Sequence, residues 1–520
     1  MGRAMQARVW GLLAGVAVVL VAMVALRPLL PIDETRYLSI AWEMHRSGDP
    51  VHLTMNGAPY THKTPLLFVL INLVWLVTGV SEFAARLVGP ACALAMVAGT
   101  AALARRFWPS LSGGAQGRDL AAALILCGFP VFLIYGSATM FDALLGLGVL
   151  GGVAALWRVG QGDAGRRPWV GFGLALAFGT YAKGPVILVH LLPLALTLPL
   201  WALVPPRPIA IAKGLGLAMV VALVIVAVWL VPTLATATPE FRAELLWTQT
   251  AARVTGGLAH DRPVWFLAGL VPVLLFPFGW SWGLWRGLGG QWRSDPAVRL
   301  CAIWALSSLV LFSLISGKQV HYLLPTFPAV ALLFAASTGQ RGSLAWLPLV
   351  GMAAGAAAVG FHIIPASGDL ALFAPYWPLV MFAALCLLWA LASLRLPLVI
   401  GHAATGVVVV LGLHLVVGAT LLYPAYDGRR IAAVLAAGAP GGLAVTATDY
   451  HAEFNFLARL TEPVAVPQTP ADWTVWARDH PQGLVFGETG ASAPKSDPDL
   501  VLPYRGHKIG LWPAAAMSRE

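Results

Sequence analysis

The chain has 520 residues, 58% of them hydrophobic and 11% charged, with a formal net charge of +10. A soluble domain carries about a quarter charged residues, so this composition, with a mean hydropathy of +0.77, excludes a soluble enzyme and indicates an integral membrane protein. The basic excess falls in short loops between apolar runs and not on a basic face, which excludes a nucleic-acid-binding role and points to membrane topology.

Arg3 and Arg8 precede a charge-free run from Val9 to Leu26. That run is longer than the apolar core of a signal peptide, about 7–15 residues, so an uncleaved first helix is expected. Apolar runs predict spans at 7–27, 84–105, 119–136, 138–157, 168–182, 185–204, 209–235, 263–285, 298–316, 320–337, 343–364, 375–394 and 397–423, about 13 helices at about 20 residues per span. The apolar stretch 65–79 is assigned to a juxtamembrane helix, because counting it as a span inverts the charge pattern. With the N-terminus cytoplasmic, the inner loops carry Arg105, Arg106, Arg118, Arg158, Arg166, Arg167, Arg207, Lys213, Arg286, Arg293, Arg299, Arg341 and Arg395, with few acids. The outer face then collects Asp33, Glu34, Arg36, Lys63, Asp142, Lys183, His260, Arg262, Lys318 and Tyr322 from segments far apart in sequence. Two outer loops are long, 28–83 and 236–262, and loops with their own structure usually carry function. Residues 424–520 follow the last span. They are expected to form a small α/β domain outside the membrane, with β-like runs at 443–446 and 483–486 flanking a helix-like stretch at 450–460. The expected fold is therefore an all-α polytopic membrane protein, residues 1–423, with a C-terminal periplasmic α/β domain, residues 424–520.

Charge at the mouth of a membrane protein is costly unless it serves a purpose. Asp33 and Glu34 open the first outer loop, where a carboxylate can act as a general base or orient a reacting group; the alternative is a cap for the helix starting near Thr35. Lys63, beside Tyr60 and His62, can bind phosphate as a point charge or snorkel to the interface. Lys183, in Tyr181-Ala182-Lys183-Gly184-Pro185, is expected at a tight junction between two spans. Asp142 either pairs with a cation or caps a helix. Arg262 can fork onto a phosphate or anchor the helix beginning at Pro263. Lys318, His321 and Tyr322 crowd a second tight outer turn. His402 and His414 lie within the last span and read as packing residues. Cys92, Cys127, Cys301 and Cys386 are dispersed in apolar runs, with no paired or metal-ligand spacing. Two acids, several cations and tyrosines at headgroup depth fit transfer chemistry on a lipid-linked phosphate.

Asp33-Glu34-Thr35-Arg36-Tyr37, Asn56-Gly57, Tyr60-x-x-Lys63-x-Pro65 and Gly79-Val80-Ser81-Glu82-Phe83-Ala84-Ala85-Arg86-Leu87 resemble the polytopic GT-C glycosyltransferases, in particular the ArnT-like aminoarabinose transferases and the protein O-mannosyltransferases. Ala182-Lys183-Gly184-Pro185 and Gly317-Lys318-x-x-His321-Tyr322-Leu323-Leu324-Pro325 match the same group. The resemblance implies 13 membrane helices, a periplasmic site, a soluble C-terminal domain and a polyprenyl-phosphate sugar donor. By position it makes Asp33 the catalytic aspartate and Asp142 a second acid. Lys63, Lys183, Arg262 and Tyr322 become donor-phosphate contacts, and Glu34, Arg36, Tyr37, Tyr60, Lys318 and His321 substrate-binding residues. Where the group often has Glu-Lys-Pro-Pro, this chain has His62-Lys63-Thr64-Pro65, which leaves open whether His62 with His260 holds a divalent metal; no cofactor is otherwise required. The expected activity is inverting transfer of a sugar, 4-amino-4-deoxy-L-arabinose or a hexose, from polyprenyl (undecaprenyl) phosphate to an envelope acceptor such as lipid A, at the outer face of a bacterial inner membrane. The rival readings are a lipid or solute transporter and a non-catalytic polyprenyl-phosphate-binding protein.

Overall fold

The computed structural model describes residues 3–111, 117–245, 262–337, 342–490 and 494–519. Among these the helices Arg8–Ala25, Glu82–Phe107, Phe141–Gly160, Arg167–Leu196, Pro208–Thr236, Pro296–Leu314 and Leu398–Gly418 are long and apolar enough to cross a membrane. The bent pair Arg118–Cys127 and Pro130–Gly136 makes an eighth if it is one span. The chain is thus a multi-pass membrane protein in which each of these helices coincides with an apolar run of the sequence. Shorter apolar helices at Leu66–Thr78, Val320–Ala336, Trp346–Gly360 and Trp377–Ser393 complete the bundle. Leu66–Thr78, with 13 residues, rises only about 20 Å at 1.5 Å per residue and is too short to span, as expected of a juxtamembrane helix.

Three departures from the expected spans have local causes. The run 119–136 is bent by 71° between Cys127 and Pro130, where proline has no N–H to continue a helix. The Cβ of any larger residue at Gly406 would lie 1.9 Å from the Gly128 carbonyl oxygen, so the break is also where helix Leu398–Gly418 crosses at backbone contact. The run 263–285 is divided into Phe266–Leu274, Phe278–Trp280 and Trp282–Leu288, with Pro277 at the first break. The runs 168–182 and 185–204, expected as two spans, begin as one helical stretch, Arg167–Leu196, interrupted by the single 3-10 turn Gly184–Val186. Lys183 is the last residue of the first segment, Arg167–Lys183, directly before that turn.

The segment 28–83, expected to be an outer loop, is structured. Helix Asp33–Ser47 has Asp33 and Glu34 in its first turn and His45 and Arg46 in its last, each complementing the helix dipole. It ends at Gly48, which adopts the left-handed conformation (φ 67°) that favours glycine. It packs on Leu66–Thr78 through the Asn72 side chain, whose Nδ2 donates to the Ala41 carbonyl at 3.0 Å, and through Tyr37 edge-on to Phe68.

After the last span, a four-stranded sheet orders as Leu443–Val445, Leu484–Glu488, His507–Pro513 and Leu500–Tyr504, the first pair parallel and the others antiparallel. Its period-2 alternation separates two apolar layers. Leu443, Val445, Phe486 and Leu511 face helix Arg429–Gly438 through Ile431 and Leu435. Ala444, Val485 and Trp512 face helix Pro470–Asp479 through Trp476. The stretch 450–460, expected to be helical, forms successive turns, with Ala452 and Arg459 at positive φ. These turns lie against the first outer loop. Ser39 Oγ donates to the Ala452 carbonyl at 2.7 Å, Trp42 Nε1 donates to the Leu460 carbonyl at 2.9 Å, and Trp75 stacks on Phe456 at 5.5 Å.

Asn56, itself at φ 53°, holds this junction by three side-chain hydrogen bonds: to the Val464 carbonyl, from the Val464 N–H (both 2.8 Å) and from Asn455 Nδ2 at 3.1 Å. At about 1 kcal/mol per bond, Asn56→Ala is expected to weaken docking by about 2–3 kcal/mol. The expected readout is a lower melting temperature in detergent and faster limited proteolysis after residue 424.

Candidate functional site

The first group of polar residues gathers where helix Asp33–Ser47 begins. The Asp33 carboxylate is 40% exposed and pairs with Arg36 at 2.5 Å, one helical turn on. Burial raises its pKa, but the charges of Arg36 and Lys63 and hydrogen bonds from Tyr37 and Arg36 outweigh that and hold it below the ordinary carboxylate value. Asp33 is therefore an anion, partly open to a reactant, with Lys63 in its field. Burial and then the Asp33 charge push the Tyr37 hydroxyl well up, so Tyr37 remains a donor. Tyr60 is 4% exposed and close enough to interact electrostatically with both Arg36 and Tyr37. Lys63 places its ammonium 5.7 Å from the centre of the Phe141 ring, at the start of helix Phe141–Gly160.

The second group begins one residue later, at Asp142. Its Oδ1 receives a hydrogen bond from Lys183 Nζ at 2.5 Å, with the side chains 1% and 7% exposed. The ammonium also lies 4.5 Å from the centre of the Tyr322 ring. His321 Nε2 approaches Asp142 Oδ2 to 3.9 Å, and the His321 ring lies 5.4 Å from Tyr135. Lys63 and Phe141 connect this group to the first, so Asp33, Arg36, Tyr37, Tyr60, Lys63, Asp142, Lys183, His321 and Tyr322 form one continuous centre.

Glu34, expected among the substrate-binding residues, is instead held inside the protein by an ion pair. It is 4% exposed and is held by Arg27: Arg27 Nη2 donates to Oε1 at 2.8 Å, and Nη1 donates to Oε2. The backbone N–H groups of Thr139 (2.7 Å) and Leu30 (3.2 Å) donate to the same carboxylate. Burial raises the Glu34 pKa, but the charge and hydrogen bond of Arg27, then Arg86 and the Thr139 N–H, bring it down to about 2. Arg27, Glu34 and Asp33 line one wall of a cavity of about 400 Å³ whose other walls include Tyr135, Leu413, His414 and Tyr423.

Two expected residues brace the neighbouring loop. Lys318, 3% exposed, donates to the Arg262 carbonyl at 2.7 Å and the Ser316 carbonyl at 3.4 Å. The Arg262 guanidinium is exposed, 5.4 Å from the Phe266 ring. The Arg262 backbone N–H donates to the Ser316 carbonyl at 3.2 Å. His62 has Glu244 at 3.6 Å, and His260 lies outside the described residues. Among the described residues no group of three or more His, Cys, Asp or Glu side chains could hold a metal ion. His402 bonds to Ser343 Oγ at 2.8 Å and His414 to the Val410 carbonyl at 2.9 Å, as packing histidines do.

Sequence reasoning did not single out Arg27 and Tyr135. The available signal for Arg27 was its position seven residues before Glu34, at the end of an apolar run, where an unpaired charge is costly. Tyr135 carried no signal in its apolar surroundings.

No protein-family model matches the chain. An undecaprenyl phosphate-alpha-4-amino-4-deoxy-L-arabinose arabinosyl transferase of Pseudomonas paraeruginosa is 32% identical over 320 residues, 59% of this chain and 55% of that protein. A protein of the same name from Edwardsiella ictaluri is 28% identical over 324 residues, 60% of this chain and 56% of that protein. The chain spans about half the length of the curated relatives it matches. Among solved structures, ArnT from Cupriavidus metallidurans bound to undecaprenyl phosphate matches with a TM-score of 0.74 at 21% identity, covering 97% of this chain and 98% of that one. The archaeal oligosaccharyltransferase AglB from Archaeoglobus fulgidus matches with a TM-score of 0.51 at 13% identity, covering 94% and 70%. The fold is shared with these structures, and the resemblance read from the outer-loop motifs is borne out by the similar proteins.

Two outcomes follow from the buried charges. Lys183→Met leaves the Asp142 carboxylate buried without its partner and is expected to cost about 3–5 kcal/mol. Adding Asp142→Asn should restore much of the loss, as read by melting of the single and double variants. The Glu34 carboxyl titrates lower in the folded protein than its unfolded value of about 4.3. Its stabilising contribution is therefore complete above that pH and is lost as the pH falls toward about 2. The melting-temperature difference between the parent protein and Glu34→Gln is expected to be constant above about pH 5 and to shrink below about pH 4.

Proposed function

We propose that the chain is an inverting glycosyltransferase that moves a sugar from polyprenyl (undecaprenyl) phosphate to an envelope acceptor such as lipid A, with 4-amino-4-deoxy-L-arabinose as the leading sugar. The observation that carries this reading is the partly open Asp33 anion with Lys63 in its field, beside the buried Asp142–Lys183 pair. The 32% identity to the Pseudomonas paraeruginosa transferase and the fold shared with ArnT support the reading.

In this mechanism the bond between the anomeric carbon and the phosphate oxygen breaks. Its electron pair leaves on the phosphate while an acceptor oxygen forms the new bond from the opposite face. Lys63 takes the phosphate as a point charge, with Lys183, Tyr322 and, from the adjoining loop, Arg262 as further contacts. Preorganised cations where negative charge develops are usually the largest single contribution to catalysis. Asp33 accepts the proton of an acceptor hydroxyl, or positions the acceptor where that group is already a phosphate oxygen. Tyr37 and Arg36 fix the Asp33 carboxylate, while Tyr60 and His321 line the donor side. No step needs a metal. The reading places the protein in a bacterial inner membrane with about 13 helices in residues 1–423, the N-terminus cytoplasmic, and the centre and residues 424–520 periplasmic.

The test is transfer by the purified protein in reconstituted membranes, using undecaprenyl-phosphate sugars and candidate acceptors with products read by mass spectrometry. Asp33→Asn is expected to lower turnover by about 10²–10⁴-fold while the folded protein still binds undecaprenyl phosphate. Full transfer by Asp33→Asn would overturn the assignment. Binding of the carrier lipid by the parent protein without turnover would favour a binding protein.

A further inference from the structure

Glu34 and Arg27 are too deeply buried and too fully committed to act on a substrate, yet they adjoin the site. Glu34 adjoins Asp33 on the same helix start. All four hydrogen bonds to its carboxylate come from inside the protein: two from Arg27 and one each from the Leu30 and Thr139 N–H groups. Thr139 lies three residues before Asp142, on the turn that leads into helix Phe141–Gly160. The same guanidinium donates to the Ser137 carbonyl at 3.1 Å, fixing that turn a second time. Arg86 closes the arrangement from behind, donating to the Arg27 carbonyl at 3.0 Å and the Pro28 carbonyl at 3.2 Å while pairing with Glu82 at 2.9 Å. One buried ion pair thus ties together the end of the first helix, the helix start that carries Asp33 and the turn that sets Asp142.

We infer that the Arg27–Glu34 pair is a positioning device for the transfer reaction: it sets the helix start that carries Asp33 relative to the Ser137–Thr139 turn that leads into Asp142. The inference rests on the glycosyltransferase reading. A planar guanidinium held by both carboxylate oxygens fixes direction as well as distance, which a lysine in the same place does not. The alternative is an ordinary structural brace, whose loss would lower stability and affect substrate binding and turnover together.

The experiment compares donor KM, turnover number, melting temperature and undecaprenyl-phosphate binding in the full-length protein, Arg27→Lys and the double variant Arg27→Met/Glu34→Gln. Arg27→Lys keeps the charge and loses the fork. The double variant removes both charges, so no buried ion is left unpaired, while an amide oxygen remains for the Thr139 N–H. A displacement of about 1 Å can cost about 10²-fold in rate. Turnover in the double variant is therefore expected to fall by about 10²-fold and in Arg27→Lys by about 10-fold, with donor KM unchanged within about twofold. Carrier-lipid binding and the melting temperature of Arg27→Lys should stay close to those of the parent. Turnover that recovers or falls in step with melting temperature, or a donor KM that moves with turnover, overturns the inference. A parent protein that transfers no sugar would instead overturn the function on which it rests.

Discussion

An ionised side chain inside a helical bundle persists only beside a counter-charge, because several kcal/mol of hydration are lost per ion. Two such pairs lie close together here, Arg27–Glu34 and Asp142–Lys183. Asp33 is the exception: it is held anionic by Arg36 and Lys63, yet remains 40% exposed. Two buried pairs and a partly exposed carboxylate, already anionic, therefore lie close together in the fold. Under the proposed transfer reaction the cations would likewise be in place before the donor phosphate, the condition under which electrostatic stabilisation costs least.

Much of this centre could be read from sequence because charge is rare in so apolar a chain. Asp33, Lys63, Asp142, Lys183 and His321 each stood out against their surroundings, and the structure brings them together. Direction was harder to read than presence. Asp33 and Glu34 are neighbours in sequence, but successive residues on a helix point about 100° apart, so one faces the reactant and the other Arg27. Lys318 was expected to bind substrate and instead donates to the Arg262 carbonyl, because sequence does not show which acceptor a buried lysine will find.

The fold was legible in the same uneven way. Apolar runs located the helices, while helix ends depended on prolines and on Gly128, whose close contact with Gly406 has no local signal. In the C-terminal region the two predicted strands formed. The hairpin Leu500–Tyr504 to His507–Pro513 was missed, although Arg505-Gly506, both at positive φ, supplies the two-residue turn such hairpins favour. The helix Pro470–Asp479 was missed despite Thr469 and Asp472, which form its capping box. The stretch 450–460 was misread because its aromatic spacing mimics a helix; Phe456 serves to stack on Trp75, in the first outer loop.

That last contact has a consequence in time. Ser39 and its partner Ala452 are separated by 413 positions, with nearly the whole membrane bundle between them. At about 5–20 residues per second, roughly 20–80 seconds of synthesis separate the emergence of the first outer loop from that of the segment that covers it. For that interval Ser39, Trp42 and Asn56 lack the partners they have in the finished protein. The loop that carries Asp33 is thus seated by a segment made long after it, and a nascent protein truncated before residue 450 carries the charged residues of the site without the surface that seats their loop.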